Sequence, residues 1–232
     1  MADQDSCIPY HQGISYTCQL KHYIGNLQPG RIGINREIKA MDDKKISYGP
    51  EISLLAPVWV IGSYDQNGKA NMMAAAWGGI CCSRPPCVTV SLRQATCTYH
   101  NIMARKAFTV NLPSQKHIKE TDYFGCVSGK EEDKLAAAGL TPIQGSRVDA
   151  PYLKEFPVAV ECKLVQTVDL GMHTMFIGEI LDVKAEKDVA ESKEAWPGML
   201  IFDPKRRCYY GMGKNCGKAF SIGQQPGKHP AG

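Results

Sequence analysis

Between Leu54 and Trp77 the chain alternates in a way that predicts a hairpin. Leu54 to Tyr64 is rich in β-branched and aromatic residues, Asp65-Gln66-Asn67-Gly68 supplies turn chemistry, and Lys69 to Trp77 forms the return strand. A Gly-Cys-rich stretch from Gly78 to Cys82 reads as a turn, braked by Pro85-Pro86. Beyond it Val88, Val90 and Leu92 alternate with Cys87, Thr89, Ser91 and Arg93, so one face of this strand is apolar and the other carries Ser91 and Arg93.

Thr98 then reads as a helix N-cap, with Tyr99, Ile102 and Met103 at core-facing spacing and Arg105 and Lys106 in the last turn. Phe108 to Asn111 is the next strand, and Pro113-Ser114 opens a helix that stops at Gly125. Ser128 and Glu131 have capping-box spacing for a helix carrying Lys134 and ending at Ala138, with Gly139 beyond its end. Alternation resumes from Val158 to Leu164, turns at Asp169-Leu170-Gly171, and continues from His173 to about Val183. Shorter strands follow at Met199 to Phe202 and Arg207 to Tyr210. Strands outnumber helices and the connections are short, which predicts a mainly β fold, an antiparallel barrel with a few helices. Residues 1–50, broken by Pro9, Gly13, Gly25, Pro29, Gly30 and Gly33, predict an arm packed on the domain or on a partner subunit; 51–222 form the domain and 223–232 a flexible tail.

Composition narrows the function classes. Of 232 residues, 44% are hydrophobic and 22% charged, which is ordinary for a globular chain that buries a core. The net charge of +4 comes without a dense Lys/Arg run, so neither nucleic acid nor a membrane surface is an expected partner. The acidic start MADQDSCIPY lacks the features of a secretory signal, and no apolar run approaches the roughly 18 to 20 residues of a membrane helix. A cytoplasmic location is expected. The ten cysteines are then expected as reduced and mostly buried thiols, because their spacings give no paired CxxC for zinc and no iron–sulfur motif.

Familiar catalytic motifs are missing. In GMGKNCGKAF the P-loop spacing fails at Met212 and Ala219, and the dinucleotide fingerprint fails at Cys216. Each histidine is isolated, without HExxH or GxSxG around it; His173, opening a core strand beside Thr174, is the one to watch. What remains is the stretch from Asn71 to Thr98. Ser91 and Arg93 beside the hydroxyls of Thr96 and Thr98, at a helix N-terminus, suit a phosphate dianion. Ala74, Ala75 and Ala76 allow a flat ring against the backbone and Trp77 can flank it. The same residues also fit a structural reading, in which the alanines pack a barrel, Arg93 pairs with a carboxylate and Thr98 only caps.

A resemblance separates these readings. AAAWGGICCSRPPCVTVSLRQATCTYHNI, FTVNLP, SGKEEDKLAAAGLTP, VAVECKLV and GMHTMFIGEI, in this order over about residues 50–215, resemble the flavin reductase-like family of FMN-binding split-barrel proteins, and most of all its flavoredoxin branch. The resemblance implies a six-stranded antiparallel split barrel of Greek-key type, a homodimer, and non-covalent FMN as electron carrier, reduced in some members by NADH or NADPH. It places the isoalloxazine along Asn71, Ala74, Ala75, Ala76 and Trp77 and the turn at Cys81 and Cys82. It places the phosphate on Ser91, Leu92, Arg93, Thr96 and Thr98 with Lys134 as a further cation, and adds Asn111 and Tyr210. An alanine replaces the family's polar residue in the AxxW segment, and Thr96 stands at the second arginine of the SLRxxR pattern.

The expected function is electron or hydride transfer through FMN between NAD(P)H or a redox protein and an acceptor, with no side-chain acid or base required. A flavin-binding or storage module without turnover is the alternative. A thiol-based redox protein using Cys81-Cys82 ranks third, because adjacent cysteines form only strained disulfides.

Overall fold

A computed structural model describes residues 50, 52, 54–192, 199–213, 216 and 219. The expected arm, apart from Pro50, and the tail at 223–232 lie outside the described residues. The chain divides into two units, Met1–Gly49 and Pro50–Gly232, and all that follows concerns the second.

Its elements in order are β1 (Ala56–Pro57), β2 (Trp59–Tyr64), β3 (Ala70–Ala75), β4 (Gly78–Ser83), β5 (Pro86–Leu92), α1 (Cys97–Arg105), β6 (Ala107–Leu112), a 3-10 turn (Gln115–His117), α2 (Ile118–Cys126), α3 (Lys134–Ala138), β7 (Pro142–Gln144), β8 (Pro151–Leu153), β9 (Val158–Asp169), β10 (Thr174–Ala185), α4 (Lys187–Glu191), β11 (Leu200–Asp203) and β12 (Cys208–Gly211). A seven-stranded antiparallel sheet runs β3-β2-β6-β9-β10-β5-β4, with small sheets β1-β11-β12 and β7-β8 beside it. The mainly β architecture agrees with the expectation, with one strand more than six. The extra strand is β4, because Gly78–Ser83 is not the expected turn: its backbone pairs along β5, and the reversal falls at Arg84-Pro85 instead.

The strand β2 is buried on both faces, and the alternation of its side chains explains why. Trp59 and Ile61 join Val88, Val90, Leu92, Ile102, Phe108 and Phe176 in one cluster, while Val60 joins Met72, Phe124, Leu135, Leu153 and Phe156 in another. The first cluster includes Ile102 of α1; the second includes Phe124 of α2 and Leu135 of α3. Gly78 is fixed by that packing, because a Cβ there would lie 2.6 Å from the Trp59 ring. No helix among the described residues is long and apolar enough to cross a membrane.

Two local expectations change. Helix α1 is capped by Thr96, whose Oγ1 accepts from the Tyr99 amide at 3.3 Å, and Thr98 lies inside the first turn. Helix α3 starts later than expected: Ser128 to Glu132 is a turn, and Asp133 is the N-cap, accepting from the Ala136 amide at 3.2 Å. Gly139 closes that helix with φ +65°, as its position predicts.

Candidate functional site

The end of β5 and the start of α1 meet at Arg93 to Thr98. Thr96 ties this corner together: its hydroxyl donates to the Arg93 carbonyl at 2.9 Å while capping the helix. Arg93 is exposed, and its Nη2 lies 3.7 Å from the Met172 sulfur. Its guanidinium, together with burial as the larger cause, holds His173 below the ordinary histidine range. Thr98 is fully buried, and its Oγ1 accepts from the Asn71 side-chain amide at 2.9 Å. That bond joins β3 to α1.

Lys134 comes to the same place from α3. It is 5% exposed, its Nζ donates to the Phe124 carbonyl at 3.3 Å, and it lies 5.8 Å from the centre of the Phe124 ring. Burial lowers its pKa to about 8, opposed by the Cys97 thiol. Among the described residues it has no carboxylate within ion-pair distance, so a buried cation stands opposite neutral groups. Such a charge is costly unless an anion joins it.

Asn71, Arg93, Thr96, Thr98 and Lys134 line one cleft of about 240 Å³. Its remaining wall is the segment Gly125 to Gly129, which runs from the last residues of α2 into the following turn, with Met73, Ala95, Cys97 and Phe124. An adjoining cavity of about 170 Å³ shares Asn71, Cys97, Gly129 and Lys134 with it. In the sequence Ser128 reads only as a capping-box residue, and Gly129 has no assigned role. Gly129 is needed for close approach, because a Cβ there would stand 2.1 Å from the Asn71 Oδ1. The adjacent Gly129-Lys130 beside a serine was the available sequence signal, since small residues followed by a cation suit a backbone wrapped close to an anion.

The other expected residues lie outside this cleft. Ala74 and Ala75, half-buried on β3, pack toward opposite clusters. Ala76 and Trp77 follow β3, Trp77 is 37% exposed, and its carbonyl accepts from the Ser91 amide at 2.8 Å. Cys81 and Cys82 are exposed on the edge strand β4. Leu92 is a core side chain at 2% exposure, leaving only its backbone to a ligand, and Tyr210 is half-exposed on β12. Asn111 has a structural role of its own. It is fully buried, its amide donates to the Val60 carbonyl and the Thr109 hydroxyl, and its Oδ1 accepts from the Leu153 amide, so its polar atoms are committed to joining β2, β6 and β8. Its VN pair carried no sign of a strand buried on both sides.

This fold has counterparts. The family model described as a flavin reductase like domain matches residues 53–211. The chain belongs to the flavin reductase-like family. Among solved structures, it is similar to the flavoredoxin of Desulfovibrio vulgaris (Miyazaki F), with 45% identity, a TM-score of 0.73, and coverage of 78% of this chain and 100% of that one. It is also similar to a flavoredoxin from Methanosarcina acetivorans, with 27% identity, a TM-score of 0.73, and coverage of 78% and 98%. Among curated relatives, the FMN reductase (NADH) RutF of Ancylobacter novellus is 28% identical over 126 residues, 54% of this chain and 67% of that protein. The chain spans 65% of the length of an uncharacterized Archaeoglobus fulgidus relative to which it is 32% identical.

Proposed function

We propose that this family member binds FMN non-covalently and passes electrons or hydride between a donor, either NAD(P)H or a redox protein, and an acceptor. The observation that carries the reading is Lys134: a buried ammonium that forms no ion pair among the described residues, on the wall of a cleft that also presents Arg93, Thr96 and Thr98. A phosphate dianion there would supply the missing charge and accept from Arg93 and the Thr96 and Thr98 region. The Thr98–Asn71 bond holds the cleft's floor, and Gly129 lets the 125–129 segment close on it.

Bound FMN would supply the electron and hydride chemistry. The chain's part is to hold and orient it. From the phosphate cleft, β3 leads through Ala74 and Ala75 to Trp77, a small-residue path along which a flat ring could lie. The Ser91 amide bonded to the Trp77 carbonyl fixes that path to β5. No side-chain acid is required of this site for hydride transfer.

Purification without added flavin, followed by a visible spectrum and titration with FMN, tests the binding. A yellow protein, or one that takes up FMN stoichiometrically, is expected; a colourless chain that does not bind FMN overturns the proposal. Anaerobic mixing of the FMN-loaded protein with NADH or NADPH then tests turnover. Bleaching of the flavin supports a pyridine-nucleotide donor, bleaching only by a reduced redox protein supports electron relay, and a flavin that stays oxidised with every donor reduces the function to flavin binding.

A further inference from the structure

Of the eight described cysteines only Cys87 and Cys162 are buried, which corrects the expectation of mostly buried thiols, and Cys81, Cys82 and Cys87 gather at one place. Strands β4 and β5 pair from Gly78–Val90 to Ser83–Pro86, with a register shift between Ile80 and Cys82. Ile80 faces Val88 and Cys82 faces Cys87, so Cys81 and Cys82 together stand opposite the single residue Cys87. The bulge thus brings two thiols to a third across the strand pair. Directly opposed residues of antiparallel strands have Cα atoms roughly 4.5 to 5.5 Å apart, inside the window of about 4.4 to 6.8 Å that a disulfide spans. The strain that weighs against a Cys81–Cys82 bond does not apply to the cross-strand pair.

The thiols also differ in access. Cys81 and Cys82 are exposed on the sheet's edge strand, whereas Cys87 is 5% exposed. Burial first, and then the neighbouring Cys81, Cys82 and Glu179, raise the Cys87 thiol above its ordinary range. Cys162 behind it is fully buried and raised further by burial, which leaves it inert. An exposed thiol beside a buried partner is the arrangement of an attacking and a resolving cysteine. Cys82 Sγ lies 3.4 Å from the Arg84 carbonyl, at an exposed corner where the Arg84 guanidinium favours an anionic visitor.

We propose that Cys82 and Cys87 form a redox-active dithiol that undergoes exchange with an anionic low-molecular-weight disulfide. The Cys82 thiolate attacks one sulfur of the small disulfide, forming a mixed disulfide and releasing one thiolate. The Cys87 thiolate then attacks Cys82 Sγ, forming the cross-strand bond and releasing the second thiolate. The protein loses two protons and two electrons; the small disulfide is reduced to two thiols, which balances the step.

The test treats the full-length protein, as purified, with glutathione disulfide, blocks remaining thiols and analyses the tryptic peptide 70–93, which contains Cys81, Cys82 and Cys87. The expected product is an internal Cys82–Cys87 bond in native protein, strongly reduced when the same reaction is run in urea. Cys87→Ser should instead accumulate a glutathione adduct on Cys82, and Cys81→Ser should keep the internal bond. Should Cys87→Ser fold poorly, Cys82→Ser, at an exposed position, carries the test by abolishing the bond to Cys87. A Cys87 linkage that survives Cys82→Ser, an internal bond formed equally in urea, or no reaction in native protein overturns the assignment.

Discussion

Lys134 makes the most demanding prediction at the scale of single residues. Its pKa is lowered by burial to about 8 from an ordinary 10.5, so between those values the unfolded chain holds more protons than the folded one. Without ligand, stability should therefore rise with pH across that window. FMN phosphate is already a dianion there, its second pKa lying near 6, and its charge would hold the proton on Lys134. Affinity for FMN should then fall as pH rises through about 8, with proton uptake on binding, and Lys134→Met should flatten the profile. Calorimetric titrations in buffers of different ionisation enthalpy check this; an affinity independent of pH removes Lys134 from the phosphate site. Arg93 is exposed and contributes less desolvation, so Arg93→Ala should weaken FMN binding by about 1.5 to 3 kcal/mol, the range of a charge-assisted hydrogen bond, as read from fluorescence titration. Unchanged affinity would count against its place in the cleft. Arg93, Thr96, Thr98 and Lys134 were legible because charge and hydroxyls are visible in a sequence. The joining role of Asn111 was not legible, because its partners, Val60, Thr109 and Leu153, meet only after folding.

At the scale of elements, β9 and the loop before β8 are joined by one buried carboxylate. Glu161 is fully buried; it accepts from the Ser146 and Arg147 amides at 3.1 and 2.6 Å and pairs with Lys184 on β10 at 2.8 Å. Burial alone would raise its pKa, but the Lys184 ammonium and these amides overcome it and hold the carboxyl below its ordinary 4.5. Its contribution is thus present above that value and lost as pH falls below it through the depressed pKa. Glu161→Ala should cost on the order of 2 kcal/mol at neutral pH, because it leaves the Ser146, Arg147 and Val148 amides without their acceptor, while Lys184 keeps its pair with Asp182. Urea unfolding at neutral and acidic pH measures this: the gap between wild type and variant should narrow in acid, and equal stabilities at neutral pH would show the network to be dispensable. The strands carrying this network were visible by alternation, whereas β4 was not. Gly78-Gly79 and the cysteines have no strong strand preference, and the segment is extended because β5 offers it a pairing edge, a tertiary effect outweighing local propensity. Likewise two threonines flank Cys97, and only the Thr96–Tyr99 bond distinguishes the cap from the buried neighbour.

At the scale of the whole molecule, hairpins β2–β3 and β9–β10 could be read from local turns, but the sheet order could not. The placement of β6 between β2 and β9, and of β10 against β5, depends on pairings between residues far apart in sequence, which no local pattern encodes. The resemblance supplied the split barrel instead. That order has a consequence for assembly. It places β9, β10, β5 and β4 side by side, and this region leaves Ile80 83%, Val165 50%, Leu181 41% and Val183 46% exposed. Val165 and Leu181 fall at the register shifts of β9 and β10, where bulges turn side chains out of the regular alternation. Large apolar side chains on neighbouring strands, ending at an open edge, favour association, and a second copy of the chain is the partner that the family resemblance implies. The protein is accordingly expected to sediment as a homodimer at micromolar concentration. Ile80→Asp combined with Leu181→Asp should shift it to monomer while preserving its far-ultraviolet circular dichroism, because neither side chain belongs to the buried clusters. A wild-type protein that sediments as a monomer would contradict the dimer. A dimer unaffected by both substitutions would place its interface elsewhere on the chain.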